Sequence, residues 1–238
     1  MTFELSDAKR TAARSLAGLF RPGTRVVLTT HVNPDGDGLG SEVGLVHYLR
    51  GLGVEAMVAN PTPTPARFDF LFRDLPGVDR SGDAVKAIRS ADALVVLDLA
   101  DLGRLGMLQE AVRSRGVPVA CIDHHTSPGT LPDGPRYVDA GAAATGELIF
   151  WTLTRAVARA LYVALVTDTG GFRFSNTHPR TLRVAAELLE TGVDPESIYL
   201  DVYANAPEGR PRLLAEALQT LVVEQDVGLA WVTVPPGA

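Results

Sequence analysis

The chain has 238 residues, 46% of them hydrophobic and 21% charged, with a net charge of −6. Such a composition supports a substantial core and excludes the strongly basic surface on which duplex-DNA binders rely. A small phosphorylated substrate stays open, because bound cations would invert the local field.

At the N-terminus, Ala13, Leu16, Leu19 and Phe20 recur at helical spacing, with Ser6 or Asp7 placed to cap the start. Charges interrupt this stretch, so it is no secretory signal. No run approaches the roughly 20 apolar residues of a membrane span. The run RVVLTT (residues 25–30) predicts a strand after the turn Pro22-Gly23. A helix is expected over 40–52 from Val43, Val46, Leu49 and Leu52, with Ser41 near its N-cap and His47 exposed. Residues 54–60 predict a second strand, ended by the proline-rich loop 61–65. A helix at 84–90 leads to a third strand, 91–97, and residues 117–122 form a fourth. Residues 145–166 are helical in composition. Further helices are expected at 180–192, where Arg180 and Arg183 read as a solvated face, and at 210–224. The run LAWVTV (229–234) then alternates like a strand with no partner nearby.

Strands alternating with helices predict an α/β fold, a mainly parallel sheet flanked by helices on both faces. The continuous apolar character of ALVVL and PVACI fits strands buried on both sides. Cys121, the one cysteine, reads as a small core residue; no intrachain disulfide can form, which suits a reducing cytoplasm. The expected location is cytoplasmic, with no membrane partner.

Acidic and histidine residues follow four apolar runs. His31, Asp35 and Asp37 follow RVVLTT, with Pro34 and Gly36 allowing a tight turn; Asp98 follows ALVVL; Asp123, His124 and His125 follow PVACI; Asp168 follows LYVALVT. In a parallel sheet the C-terminal strand ends share one rim, so these segments converge there. Seven or eight ligand-type groups are more than one metal needs and suit two divalent ions. Two cations answer the difficulty of hydrolysing an anionic phosphate ester, since they neutralise phosphoryl oxygens and activate water. Without cations, massed carboxylates would repel one another. Arg173 and Arg104 are candidates to contact a substrate phosphate, a solvated surface role being the alternative.

The segments HVNPDGDGLGS (31–41), VVLDLAD (95–101), CIDHHTS (121–127) and LVTDTGGFRFSNT (165–177) together resemble the motifs of the DHH phosphoesterase superfamily, named for the Asp123-His124-His125 triplet. Within it the chain looks most similar to the cytoplasmic nano-RNases that also dephosphorylate 3′-phosphoadenosine 5′-phosphate (pAp). His31 stands where RecJ-type exonucleases usually carry Asp, and Gly36 where the manganese pyrophosphatases typically carry Thr. The resemblance implies hydrolysis of short RNA oligonucleotides to mononucleotides, and of pAp to AMP. It implies two divalent ions, manganese by family habit, with Mg²⁺ or Co²⁺ also compatible with the ligands. His31 and Asp35 would bind the first ion, Asp37, His124 and Asp168 the second, and Asp98 both. His125 would face the substrate phosphate, and Asp123 would orient its neighbours. Asp98, His125 and Asp123 are thus the expected catalytic set. Rival readings are hydrolysis of cyclic or linear dinucleotides, a RecJ-like single-strand exonuclease, and a non-catalytic nucleotide sensor. A homodimer is a further expectation.

The expected organisation is a catalytic DHH domain over 1–205, a linker helix over 206–228, and the start of a truncated DHHA1-type domain over 229–238. The family's glycine-rich GGGH-type motif does not follow, and the segment 150–161 is short for the family. Slow turnover of oligonucleotides by this chain is expected from this.

Overall fold

The computed structural model describes residues 7–126, 129–150, 155–205 and 207–234. Five parallel strands form the central sheet: β1 (Arg25–Thr29), β2 (Glu55–Val58), β3 (Ala93–Leu97), β4 (Val119–Asp123) and β5 (Arg136–Val138), in the order β2-β1-β3-β4-β5. Strand order reverses between β1 and β3, so the two strand ends carrying His31 and Asp98 are neighbours at the switch point. Crevices at such points are where open α/β sheets bind ligands.

Side chains of each strand alternate between two cores. Val26, Leu28, Val95 and Leu97 enter one, with residues of α2 (Gly36–Gly51), α5 (Thr145–Ile149), α6 (Arg155–Asp168) and α7 (Pro179–Glu190). Val27, Leu94 and Val96 enter the other, with α3 (Ala84–Ser90), α4 (Gln109–Ser114) and the 3₁₀ stretch Leu102–Leu108. Helices therefore cover both faces, as the unbroken apolar strands predict. The N-terminal helix α1 spans Asp7–Ala17; of its two proposed caps, Ser6 lies outside the described residues.

The first turns of α2 are buried all round, because the helix lies directly on α6. A Cβ at Gly40 would overlap the Ala160 carbonyl, and one at Gly44 would overlap Leu161. Gly36 opens the helix rather than a turn, and a Cβ there would overlap Thr167. These glycines let α6 come close enough for its last residue, Asp168, to reach the rim. LYVALVT is helical, as the composition of 145–166 predicts, so Asp168 reaches the rim from the end of a helix rather than of a strand.

Other expectations change in detail. Strand β5 is only three residues long, too short for its alternation to be read. Helix α8 (Pro195–Tyr199) continues into a π-helical turn, Leu200–Ala204. Helix α9 stops at Gln219 (Gly209–Gln219), and the β-branched run after it forms β6 (Val222–Glu224). The segment LAWVTV is not alone: β7 (Leu229–Trp231) pairs antiparallel with β6. Thr220 ties this hairpin to α9, its Oγ1 accepting from the Thr233 amide at 2.7 Å. Ser41 is buried rather than capping, since Asp35 is the N-cap of α2; His47 is half-buried, and Arg180 is half-buried against Glu147 and Asp139 instead of solvated. Among the described residues no helix is long and apolar enough to cross a membrane.

Candidate metal centre

Each acidic residue at the rim is held by one set of contacts and presents a free edge to the others. Oδ1 of Asp35 caps α2, accepting from the amides of Asp37 and Gly38 at 3.1 Å each, while Oδ2 lies 3.6 Å from His31 Nε2. The Val32 carbonyl, 2.8 Å from His31 Nδ1, can only accept, so that nitrogen carries the proton of the neutral ring and Nε2 offers its lone pair.

Asp37 is sealed from solvent by the start of α5. Its Oδ2 accepts from the Thr145 amide at 2.7 Å, and Oδ1 from the Gly146 amide at 2.9 Å and the Ser41 hydroxyl at 3.2 Å. Oδ2 also lies 3.6 Å from His124 Nε2. Asp168 presents Oδ2 to the same nitrogen at 3.6 Å, and Asn176 Nδ2 donates to the Asp168 carbonyl at 3.1 Å.

Asp98 sits between the groups, in a left-handed backbone conformation (φ 54°) that a β-substituted residue adopts only at a cost. Its Oδ2 lies 3.8 Å from His31 Nε2 and its Oδ1 3.4 Å from His124 Nε2, and Oδ1 accepts from the Thr145 hydroxyl at 3.1 Å. The ligand atoms fall into two triads, His31-Asp35-Asp98 and Asp37-His124-Asp168, each within 4.8 Å of one another. Asp98 thus turns one oxygen toward each triad. Asp98, His124 and His125 form a third such group. In it, however, His125 Nδ1 is already bound to Asp123 Oδ1 at 2.7 Å. The other Asp123 oxygen accepts from the Ala100 amide at 3.0 Å, which braces the turn after Asp98.

The arrangement fits divalent cations on three grounds. The cross-distances of 3.4–3.8 Å are long for hydrogen bonds, yet close to the separation of two ligands on one ion with bonds of about 2.0–2.2 Å. His124 Nε2 is buried and finds no hydrogen-bond partner among the described residues, an expensive state unless it is a ligand. The charges also conflict. Burial, and then the neighbouring Asp98, push the Asp37 carboxyl well above its ordinary range. Burial, aided by Asp98 and Asp35 against the opposing pull of His124, raises Asp168 to about 6. Burial disfavours the charged His124 ring, but Asp98, Asp37 and Asp168 outweigh it and push the ring up to about 10. A cation removes this conflict by replacing the protons.

All six expected ligands therefore meet at one rim, with Asp123 behind His125. The two arginines are placed differently. Arg104 is half-buried in the 3₁₀ stretch, within electrostatic reach of His31, and its carbonyl accepts from the Val32 amide at 2.9 Å. Arg173 is exposed, its Nε donating to the Gly170 carbonyl at 2.6 Å. Sequence reasoning missed Thr145 and Asn176, which hold Asp37, Asp98 and Asp168. It also missed Arg67, which shares a pocket with Asp35 and Asp168. Thr145 opens a helix after three alanines, a signal that marks a cap but not what the amides bind.

Residues 25–168 match the DHH family, N-terminal domain. The bifunctional oligoribonuclease and PAP phosphatase NrnA of Thermus thermophilus is 35% identical over 214 residues, 82% of this chain and 59% of that protein. Its Bacillus subtilis namesake is 30% identical over 190 residues, 75% of this chain and 56% of that protein. The chain therefore spans less than two thirds of the length of these curated relatives. The crystal structure of an exopolyphosphatase-related protein from Bacteroides fragilis matches with a TM-score of 0.86 at 26% identity, covering 98% of this chain and 71% of that one.

Proposed function

Because the chain belongs to the DHH family, we propose that it is a metal-dependent phosphoesterase acting on short RNA oligonucleotides, with release of mononucleotides, and on pAp, with release of phosphate. The observation that carries this reading is Asp98, whose two oxygens face separate triads. One carboxylate shared in this way suits a pair of ions, and a pair suits an anionic phosphate ester. His31, Asp35 and Asp98 would hold one ion, and Asp37, His124, Asp168 and Asp98 the other.

When bound, two such ions supply Lewis acidity at the phosphoryl oxygens and bring an attacking water into reach of neutral pH. The chain's own residues supply placement. The α5 amides hold Asp37, and the Thr145 hydroxyl fixes the Asp98 oxygen that faces His124. Asp123 Oδ1 accepts from His125 Nδ1 at 2.7 Å and so orients a ring 36% exposed, whose Nε2 would meet a substrate phosphate. Manganese is the proposed ion, the cytoplasm the proposed location and a homodimer the proposed assembly, all by resemblance to the family.

The test is product analysis with labelled di- to pentaribonucleotides and with pAp, in Mn²⁺, Mg²⁺, Co²⁺ and chelator. Mononucleotide and phosphate release that disappears with chelator and returns with metal is expected. Release no faster than that of Asp98→Asn on every substrate would sink the reading.

A further inference from the structure

One pocket adjoins the metal centre, and a second meets it at Tyr203. The smaller, about 190 Å³, is lined by Asp35 and Asp168 on one side and by Arg67 and Tyr203 on the other. The larger, about 480 Å³, begins at Tyr203 and is lined by Tyr162, Gly170, Gly171, Arg173 and Tyr199. Its volume is in the range of sites for small organic ligands. Tyr199 and Tyr203 present their rings together, centroids 5.6 Å apart and 59% and 41% exposed. Tyr203 lies on the π-helical turn, a geometry common at functional sites. Gly170 and Gly171 both adopt positive φ; a Cβ on Gly171 would meet nothing, whereas one on Gly170 would overlap the Phe174 ring.

Charge distinguishes the kind of occupant. Tyr203 is within electrostatic reach of both Arg67 and Arg173. Arg67 lies over the Phe68 ring at 4.7 Å, and Arg173 spends only Nε on Gly170. Among the described residues neither guanidinium pairs with a carboxylate, although Asp35 and Asp168 line the same pocket as Arg67. Unpaired guanidinium groups beside exposed tyrosine rings match a ligand with a flat aromatic face and an anionic end.

We infer that the larger cavity is a nucleoside subsite of the metal centre, where a nucleobase stacks on Tyr199 and Tyr203 while Arg67 and Arg173 hold a phosphate flanking the one at the metals. The inference rests on the phosphoesterase reading and assigns the place of the substrate's base within it. Adenosine and AMP are the probes, titrated calorimetrically against the full chain with and without Mn²⁺. Tyr203→Ala and the double variant Tyr199→Ala/Tyr203→Ala should weaken adenosine binding about tenfold or more, and Tyr203→Phe should restore it. Arg67→Ala should weaken AMP more than adenosine. In hydrolysis, the preference for a dinucleotide over its abasic counterpart should collapse toward unity in the double variant. Adenosine affinity within twofold of the parent in the folded double variant, or an undiminished preference, would overturn the subsite. Adenosine binding involves no bond cleavage. A chain that binds through these tyrosines but never hydrolyses a phosphate ester would keep the subsite and lose the enzyme, and the converse result would remove the subsite alone.

Discussion

Asp35 and Asp37 stand two residues apart at the start of one helix, yet one carboxylate is 48% exposed and the other 1%. Asp35 takes its donors from its own helix. Asp37 takes two of its three from α5, 108 and 109 residues away in sequence. The first is positioned by local geometry and can move with solvent; the second is positioned only once the whole domain is assembled. The Asp37-His124-Asp168 triad is thus a preorganised socket, and the His31-Asp35-Asp98 triad a half-open one. Preorganisation of this kind governs how tightly and how rigidly an ion is held.

Asp98 belongs to both triads, so its loss should erase the comparison altogether. Asp98→Asn should lower turnover on pAp by on the order of a thousandfold, the equivalent of several kcal/mol of lost metal assistance. Metal titration of the variant should show no cooperative second ion. A variant that kept most of its rate would break the paired-ion assignment.

Replacing the two helix-start carboxylates separates the sockets. Asp37→Asn would turn an amide N–H₂ toward backbone N–H donors, leaving donors unsatisfied in a buried place at a cost of about 1–3 kcal/mol. It should lower both the melting temperature and metal affinity, the latter by about 100-fold. Asp35→Asn keeps an oxygen to cap the helix; it should cost about tenfold in affinity and leave the melting temperature nearly unchanged. Equal effects would show that the two sockets are equivalent.

Protons sharpen the same contrast. Asp168, at about 6, and His124, at about 10, both bind protons more tightly in the folded chain than unfolded. Each therefore contributes stability to the metal-free protein at low pH that is lost as pH rises through its folded value. Asp35, with burial opposing and His31 prevailing, is lowered instead, and its contribution is lost only on acidification. The metal-free protein should lose melting temperature from about pH 4 to 6 through Asp168 and from about pH 6.5 to 10 through His124, and the increment given by Mn²⁺ should grow as pH rises. Below about pH 6 the Asp37-His124-Asp168 socket should empty first. A metal increment independent of pH would contradict the electrostatic account.

The strands and their chemistry were legible because apolar runs ended abruptly in His or Asp, and parallel strand ends must share a rim. His31, Asp98 and His124 are of this kind. Asp168 reached the centre by a route no such rule describes, through glycines at 36, 40 and 44 that admit α6. The braces were illegible for a different reason. Thr145 and Asn176 act through hydrogen bonds across the fold, and their residue types carry no periodicity or charge that marks a destination. At the C-terminal end, composition favoured one long helix, but Leu-Val-Val after Gln219 pairs as a strand because Leu229–Trp231 returns to meet it.

Thr145 offers the finest probe, because it serves the two triads through different atoms. Its amide holds Asp37, and its hydroxyl holds the Asp98 oxygen that faces His124. Thr145→Val keeps the amide, the shape and the β-branch while deleting the hydroxyl. Asp37 should stay in place, so the preorganised socket should bind its ion with affinity close to the parent's. Asp98 Oδ1 loses its donor and gains freedom to rotate away from the shared position, which should loosen the bridge between sockets. The expected outcome is a fall in turnover of about tenfold, the low end of what outer contacts contribute in metal sites, with an unchanged melting temperature. A serine at 145 restores the hydroxyl and should recover most of the rate. If valine and serine behaved alike, the hydroxyl would have no part in holding Asp98, and the bridge would owe its position to the left-handed backbone at Asp98 alone.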